Sequence, residues 1–166
     1  MTSERISDKA ACQYLVRPKD FSDWTGLHAL LQDCFAFMEG RIDPPSSLAR
    51  MTPESLREKA HEEILVIVLS GDELVACGYL KETADTLYLG KLAVKPGFRR
   101  QGILASIVKL AEQLALDLGK SALELQTRVE LFENHKTFKA VGFVQTGESS
   151  HPGYERPTSI TMKKFL

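Results

Sequence analysis

The sequence predicts an α/β fold with a mixed, mostly antiparallel central sheet and helices on both of its faces. Three observations predict it. Strand-like and helix-like segments follow one another in the order β-α-α-β-β-β-α-β-α-β-β. Short turns at Ser70-Gly71-Asp72 and Ala84-Asp85 join three successive β-branched or alternating runs, as hairpins require. Helical patterns then separate the later strands.

Taken in order, Tyr14-Leu15-Val16-Arg17-Pro18 reads as a first short strand closed by proline. Phe21 to Glu39 carries apolar residues at helical spacing, among them Trp24, Leu27, Leu31, Cys34 and Met38. Asp43-Pro44-Pro45-Ser46-Ser47 breaks that helix. Thr52 then reads as the N-cap of a second helix reaching Glu63, with Pro53 at its first position and Ser55 where a capping-box glutamate would stand. Ile64 to Leu69, Leu74 to Lys81 and Thr86 to Lys95 are strands. The next helix places Ile103, Ile107, Leu110, Ala111, Leu114 and Leu118 on one face and stops at Gly119. Leu123 to Thr127 alternates as a fifth strand. A shorter helix spans Leu131 to Val141 and ends at Gly142, and Phe143-Val144-Gln145 and Ser159 to Met162 are the last strands.

Bulk properties narrow the function. The 166 residues suit one domain spanning the whole chain. The formal net charge of -1 gives no general attraction to nucleic acid or to a membrane surface, so neither is an expected partner. Cys12, Cys34 and Cys77 are odd in number and widely spaced, as reduced thiols of a cytoplasmic protein would be. The N-terminal MTSERISDKAACQ lacks an apolar core of signal-peptide length, and the longest apolar run, Ile64 to Leu69, is too short to span a bilayer. His, Cys, Asp and Glu nowhere fall at metal-ligand spacing, and no metal is expected.

Pro96-Gly97-Phe98-Arg99-Arg100-Gln101-Gly102-Ile103 lies between a strand and a helix. Unpaired N–H groups and the helix dipole make such a start receptive to phosphate. Gly97 and Gly102 allow close backbone approach, and Arg99 and Arg100 can add charge-assisted hydrogen bonds. Ile103-Leu104 stands where a nucleoside-triphosphate loop needs Lys-Ser/Thr, and G-x-G-x-x-G is absent. Other readings are a plain turn feeding a helix, or a different phosphate ligand.

The run from Leu92-Ala93-Val94 through Arg99 to Gly102 resembles the acyl-coenzyme A signature of the GNAT N-acyltransferase superfamily. Asn134 and the helix ending in Gly142-Phe143 resemble its later landmarks, and the resemblance covers the chain from about Tyr14 to Leu166. The tail His151 to Ser159 is similar to a subset of that superfamily whose substrate is unassigned. The resemblance implies transfer of an acetyl group from acetyl-CoA to a primary amine of a small molecule or of a protein or peptide. It implies coenzyme contacts from Leu92, Ala93, Val94, Arg99, Arg100, Gln101, Gly102, Ile103, Leu104, Ala105, Asn134 and Phe138. Leu104 replaces a usual small residue, and Phe138 stands where a proton-donating tyrosine is frequent. The candidates for catalysis are Tyr88, where many relatives carry glutamate, and Tyr154 in the loop between the last strands. Strand alternation puts Tyr88, Gly90, Leu92 and Val94 on one face. His151 is a further candidate base near Tyr154, and His135 lies near the expected coenzyme path.

The segment between the first two helices shapes the acceptor cleft in this superfamily, which nominates Met38 and Glu39 as substrate contacts. Glu39 and Asp43 can hold an ammonium and Arg41 a carboxylate; equally, these are ordinary loop charges. The alternative function is a coenzyme A-binding module with little or no transfer activity. A homodimer paired through the late strands is the assembly that the resemblance suggests.

Overall fold

A computed structural model describes residues 11–166; the N-terminal reading, so far as it rests on residues 1–10, lies outside them. The strands are β1 (Gln13–Val16), β2 (Ile64–Ser70), β3 (Glu73–Glu82), β4 (Thr86–Val94), β5 (Ala122–Arg128), β6 (Val144–Ser149) and β7 (Ser159–Phe165). They form one sheet in the order β1-β2-β3-β4-β5-β7-β6. Its neighbours pair antiparallel except β4 and β5, which run parallel. That parallel pairing holds only for Thr86 with Ala122, Leu87 with Leu123 and Tyr88 with Glu124. Beyond Tyr88 the two strands part.

Four α-helices pack on the sheet: α1 (Trp24–Phe35), α2 (Pro53–Glu62), α3 (Ile103–Asp117) and α4 (Phe132–Ala140). Leu27, Leu31 and Leu56 from α1 and α2 share a buried core with Leu65, Ile67, Cys77 and Tyr79 on one sheet face. Val108, Ala111 and Ala115 of α3 meet Val66, Leu80, Leu87, Leu89 and Leu123 on the other, with Phe138 of α4 against the same core. Helices therefore cover both faces, as the sequence predicts.

Local chemistry explains most boundaries. The Thr52 hydroxyl accepts from the Ser55 N–H at 3.1 Å, and the Ser55 hydroxyl accepts from the Thr52 N–H at 2.9 Å, so serine closes the capping box at α2. Gly119 and Gly142 end α3 and α4 with φ of 74° and 104°. The first helix is shorter than its apolar spacing predicts. Asp23 caps it by accepting from the Gly26 N–H, and beyond Phe35 the chain tightens into a 3-10 turn, Ala36–Met38, before left-handed Gly40. A second 3-10 turn, Ser47–Arg50, was not legible, because four residues carry no helical period. β6 runs past its predicted end because its side chains are largely solvent-facing and lack apolar alternation.

One expectation needs correction. Tyr88 and Gly90 do not share a face with Leu92 and Val94. Pairing with β3 puts Gly90 opposite Tyr79 and Ala93 opposite Cys77, so two residues of β4 stand opposite Gly78 alone. Lys91 absorbs this bulge with φ of 52°, and the alternation inverts after it. Tyr88, Gly90 and Ala93 are left toward α1 and α2, with Leu92 and Val94 toward α3.

Candidate active site

The parting of β4 and β5 opens a cleft of ≈ 1140 Å³. It runs from the start of α3, past the bulge, to the segment between α1 and α2. At the α3 end, Gly102 has φ of 83° and ψ of 7°, and no side chain caps the helix. The first hydrogen bond into that end runs from the Ser106 N–H to the Gly102 carbonyl at 2.9 Å, so the N–H groups of residues 103–105 precede the helix ladder. Gly102 is needed for its left-handed backbone, because a Cβ there would meet nothing within 4 Å. Gly97 has no such demand, and its expected conformational role is not used. Arg100 is also left-handed, with φ of 62°, which turns the chain sharply ahead of the helix. Arg99 Nε donates to the Val94 carbonyl at 2.9 Å and fastens the turn to the strand it leaves.

Of the residues expected at the coenzyme, Leu92, Ala93, Val94, Arg99, Arg100, Gly102, Ile103, Leu104, Ala105, Asn134 and Phe138 line this cleft. Gln101 does not; its amide donates to the Gly97 carbonyl at 3.4 Å. Leu104 is partly buried against the core, and it also lines the cleft. Phe138 lies edge-on to Phe143, with ring centroids 6.0 Å apart, and both borders the cleft and belongs to the core.

Tyr88 and Met38 border the end of the cleft near the segment between α1 and α2, whereas Glu39 and Tyr154 do not line the cleft. Burial, with Glu124 and Glu63 nearby, pushes the Tyr88 phenol above its ordinary range; a hydrogen bond from the Gln126 backbone opposes this in part. Tyr154 instead donates its hydroxyl to Asp43 Oδ1 at 2.6 Å, and this bond raises its own pKa. Arg156 joins the same carboxylate at 3.1 Å. Arg41 is engaged by Glu133 at 2.8 Å. Arg128 donates to the Pro44 and Pro45 carbonyls at 2.6 and 3.3 Å. Asp43 and Arg41, expected as possible ligands for acceptor charges, are thus occupied by other side chains.

The family model described as the acetyltransferase (GNAT) family matches residues 24–143. The chain belongs to the GNAT acetyltransferase family. Solved structures of similar fold agree with that membership. An acetyltransferase from Streptococcus agalactiae 2603 is 15% identical, with 93% of this chain and 98% of that one covered and a TM-score of 0.72. PaiA N-acetyltransferase from Thermoplasma acidophilum, solved in complex with coenzyme A, is 14% identical, with 93% and 99% covered and a TM-score of 0.75. A GNAT family acetyltransferase from Elizabethkingia anophelis, solved with acetyl-CoA bound, is 16% identical, with 93% and 98% covered and a TM-score of 0.66. No curated protein matches the chain in sequence. Among the described residues no group of three or more His, Cys, Asp or Glu is placed to hold a metal ion, and no helix is long and apolar enough to cross a membrane.

In this GNAT domain several cleft residues escaped the sequence reading. Lys59, Lys81 and Lys91, with Glu63, also line the cleft. Their alternation on α2, β3 and β4 gave only the pattern of solvent-facing charge. The bulge that places Lys91 left no sequence mark, because β4 is apolar on both faces. His151, named from the sequence as a candidate base, borders the cleft, with Nδ1 and its backbone N–H both directed at the Thr158 hydroxyl. Desolvation and the nearby Arg128 cation lower its pKa. His135 is turned away, hydrogen-bonding the Arg128 carbonyl at 2.9 Å.

Proposed function

We propose that the protein transfers an acetyl group from acetyl-CoA to a primary amine of a small molecule or of a protein or peptide. The observation that carries this reading is the continuity of one cleft from the uncapped, left-handed start of α3 to the acceptor side of the sheet. The N–H groups of residues 103–105, with Arg99 and Arg100, suit the pyrophosphate of the coenzyme. Gln101 acts on the turn rather than on the ligand. Leu92, Ala93 and Val94 offer backbone, and Asn134 and Phe138 side chains, along the path beyond it.

Acetyl-CoA supplies the activated acyl carbon. The amine attacks it, a C–N bond forms, and the C–S bond breaks with its electron pair passing to sulfur. Backbone next to the bulge, at Leu92 where pairing with β3 is interrupted, stabilises the charge that develops on the carbonyl oxygen. An alkyl amine of pKa ~10 must first lose a proton. His151, held neutral near pH 7 by its lowered pKa, receives that proton through water. Tyr88, protonated at neutral pH, gives one to the departing thiolate and regains it through water from the attacking nitrogen, which sheds its second proton as the amide forms. Tyr154 is a positioning residue that holds Asp43. Contact with the acceptor falls to Met38 and its neighbours, with Glu39 at the outer edge.

Thiol release from acetyl-CoA, followed with a broad amine panel, tests the reading. Amine-dependent release above the blank supports transfer; coenzyme binding by calorimetry with no release from any amine selects the binding-module reading, which the phenyl ring of Phe138 favours. In an active enzyme, Tyr88→Phe is expected to lower kcat by roughly 10²-fold with little change in coenzyme affinity. His151→Gln is expected to remove the acidic limb of the kcat/KM profile, which lies below pH ~6.5 in the wild type because its pKa is depressed. A cytoplasmic setting and a homodimer that uses the edge strand β6 belong to the same proposal. Free Cys12, Cys34 and Cys77 support the first, and exposed Val144 the second. Sedimentation checks the dimer.

A further inference from the structure

The geometry points to an anionic group on the acceptor, a carboxylate or a phosphate, held beside the reacting amine by Lys91 with Ser47. This inference rests on the acyl-transfer reading and names the acceptor class for the same cleft. Lys91 occupies the bulge with φ of 52°, a backbone conformation that suits glycine or asparagine better than lysine. The bulge itself gives no reason for a long cationic side chain.

The Lys91 ammonium reaches the segment between α1 and α2 and donates to Ser47 Oγ at 3.3 Å. A neutral hydroxyl takes one of its three protons and none of its charge. Glu63, the carboxylate that faces this end, is already bound by Lys59 at 2.7 Å. Lys59, Lys81 and Lys91 therefore border the acceptor end against Glu63, and no carboxylate of the described residues lies within ion-pair distance of Lys81 or Lys91. A lysine that serves only the fold pairs with a carboxylate or reaches bulk water. Lys91 is half-buried, has no carboxylate of the described residues within ion-pair distance, and presents its ammonium in the cleft beside exposed Ser47. Burial and the Lys59 charge disfavour its protonated form, Glu63 offsets this in part, and an incoming anion favours that form further.

The coenzyme phosphates are not the occupants, because Arg99, Arg100 and the start of α3 receive them on the other side of the bulge. On the acyl-transfer reading the carbonyl to be attacked meets backbone at Leu92, in the same cleft that Lys91 borders, so one small acceptor can carry both the amine and the anion. An amino acid or a phosphorylated amino alcohol has that form.

The test is calorimetry on the full chain saturated with coenzyme A, using N-acetylglycine, N-acetyl-phosphoethanolamine and neutral N-ethylacetamide as probes. At least one anionic probe is expected to bind roughly 10-fold or more tightly than the neutral one, and the two anionic arms separate carboxylate from phosphate. Lys91→Asn, which suits the bulge backbone, is expected to abolish the preference, and Lys91→Arg to keep it. Coenzyme affinity of each variant reports that the fold is intact. Equal affinities in the wild type, or a preference that survives Lys91→Asn, would overturn the proposal. Thiol release keeps the two readings apart. Neutral amines used with the same KM as their anionic counterparts would remove the subsite and leave transfer standing. An anion preference without thiol release would do the reverse.

Discussion

Gly102 and Lys91 both hold left-handed backbone beside the cleft, and their substitution should have opposite effects on stability. Gly102→Ala introduces a Cβ that touches nothing, so its cost is the backbone term alone, about 1–2 kcal/mol. Coenzyme affinity should fall with it as the start of α3 relaxes, which denaturant titration and calorimetry together would show. Lys91→Asn should stabilise the free protein by about 1 kcal/mol, since asparagine tolerates that conformation better than lysine. A pH dependence follows from burial. The folded pKa of Lys91 lies below the 10.5 of the unfolded chain, so between these values the unfolded state binds more protons. The destabilisation is complete below the folded pKa and is relieved as pH rises from that value toward 10.5. The advantage of Lys91→Asn should therefore narrow in alkaline solution; a gap that widens there would exclude this account.

Between elements, the Tyr79 hydroxyl carries a similar weight. It is fully buried on β3 and donates to the Leu56 carbonyl of α2 at 2.9 Å, while burial raises its pKa. Tyr79→Phe should cost about 1 kcal/mol and loosen α2, measurable as faster amide exchange along that helix. Such a bond was invisible in the sequence, where Tyr79 is one aromatic residue of an apolar strand. What was legible had local causes: the Thr52–Ser55 cap, the glycine stops at 119 and 142, and the turn at Ser70-Gly71-Asp72. The α3 end of the cleft was legible for the same reason, since Arg99 to Gly102 is a contiguous turn at a helix start. At the other end only Met38, Tyr88 and His151 were legible. Lys59, Lys91 and Arg128 come from three distant segments, and the bulge that sets the direction of Lys91 depends on pairing with β3.

For the whole molecule, four side chains tie the segment between α1 and α2 to the opposite half of the sheet. Arg41 reaches Glu133 on α4, Arg128 on β5 reaches Pro44 and Pro45, and Tyr154 and Arg156 from the β6–β7 loop reach Asp43. Each exposed ion pair contributes little alone. Their common effect is to order one wall of the cleft before anything binds. Tyr154→Phe should leave coenzyme affinity unchanged and raise the acceptor KM several-fold, because the amine then meets a less ordered wall. A fall in kcat with unchanged KM would assign Tyr154 to the chemistry instead.

The anchoring of that wall also bears on how acceptor preference can be transplanted. A selectivity determinant confined to one loop moves with it to another scaffold, but here the loop carries only half of each contact. Replacing residues 39–47 alone would leave Arg128, Glu133, Tyr154 and Arg156 facing unfamiliar partners. On the proposed reading, acceptor preference rests on three chain segments that must be exchanged together.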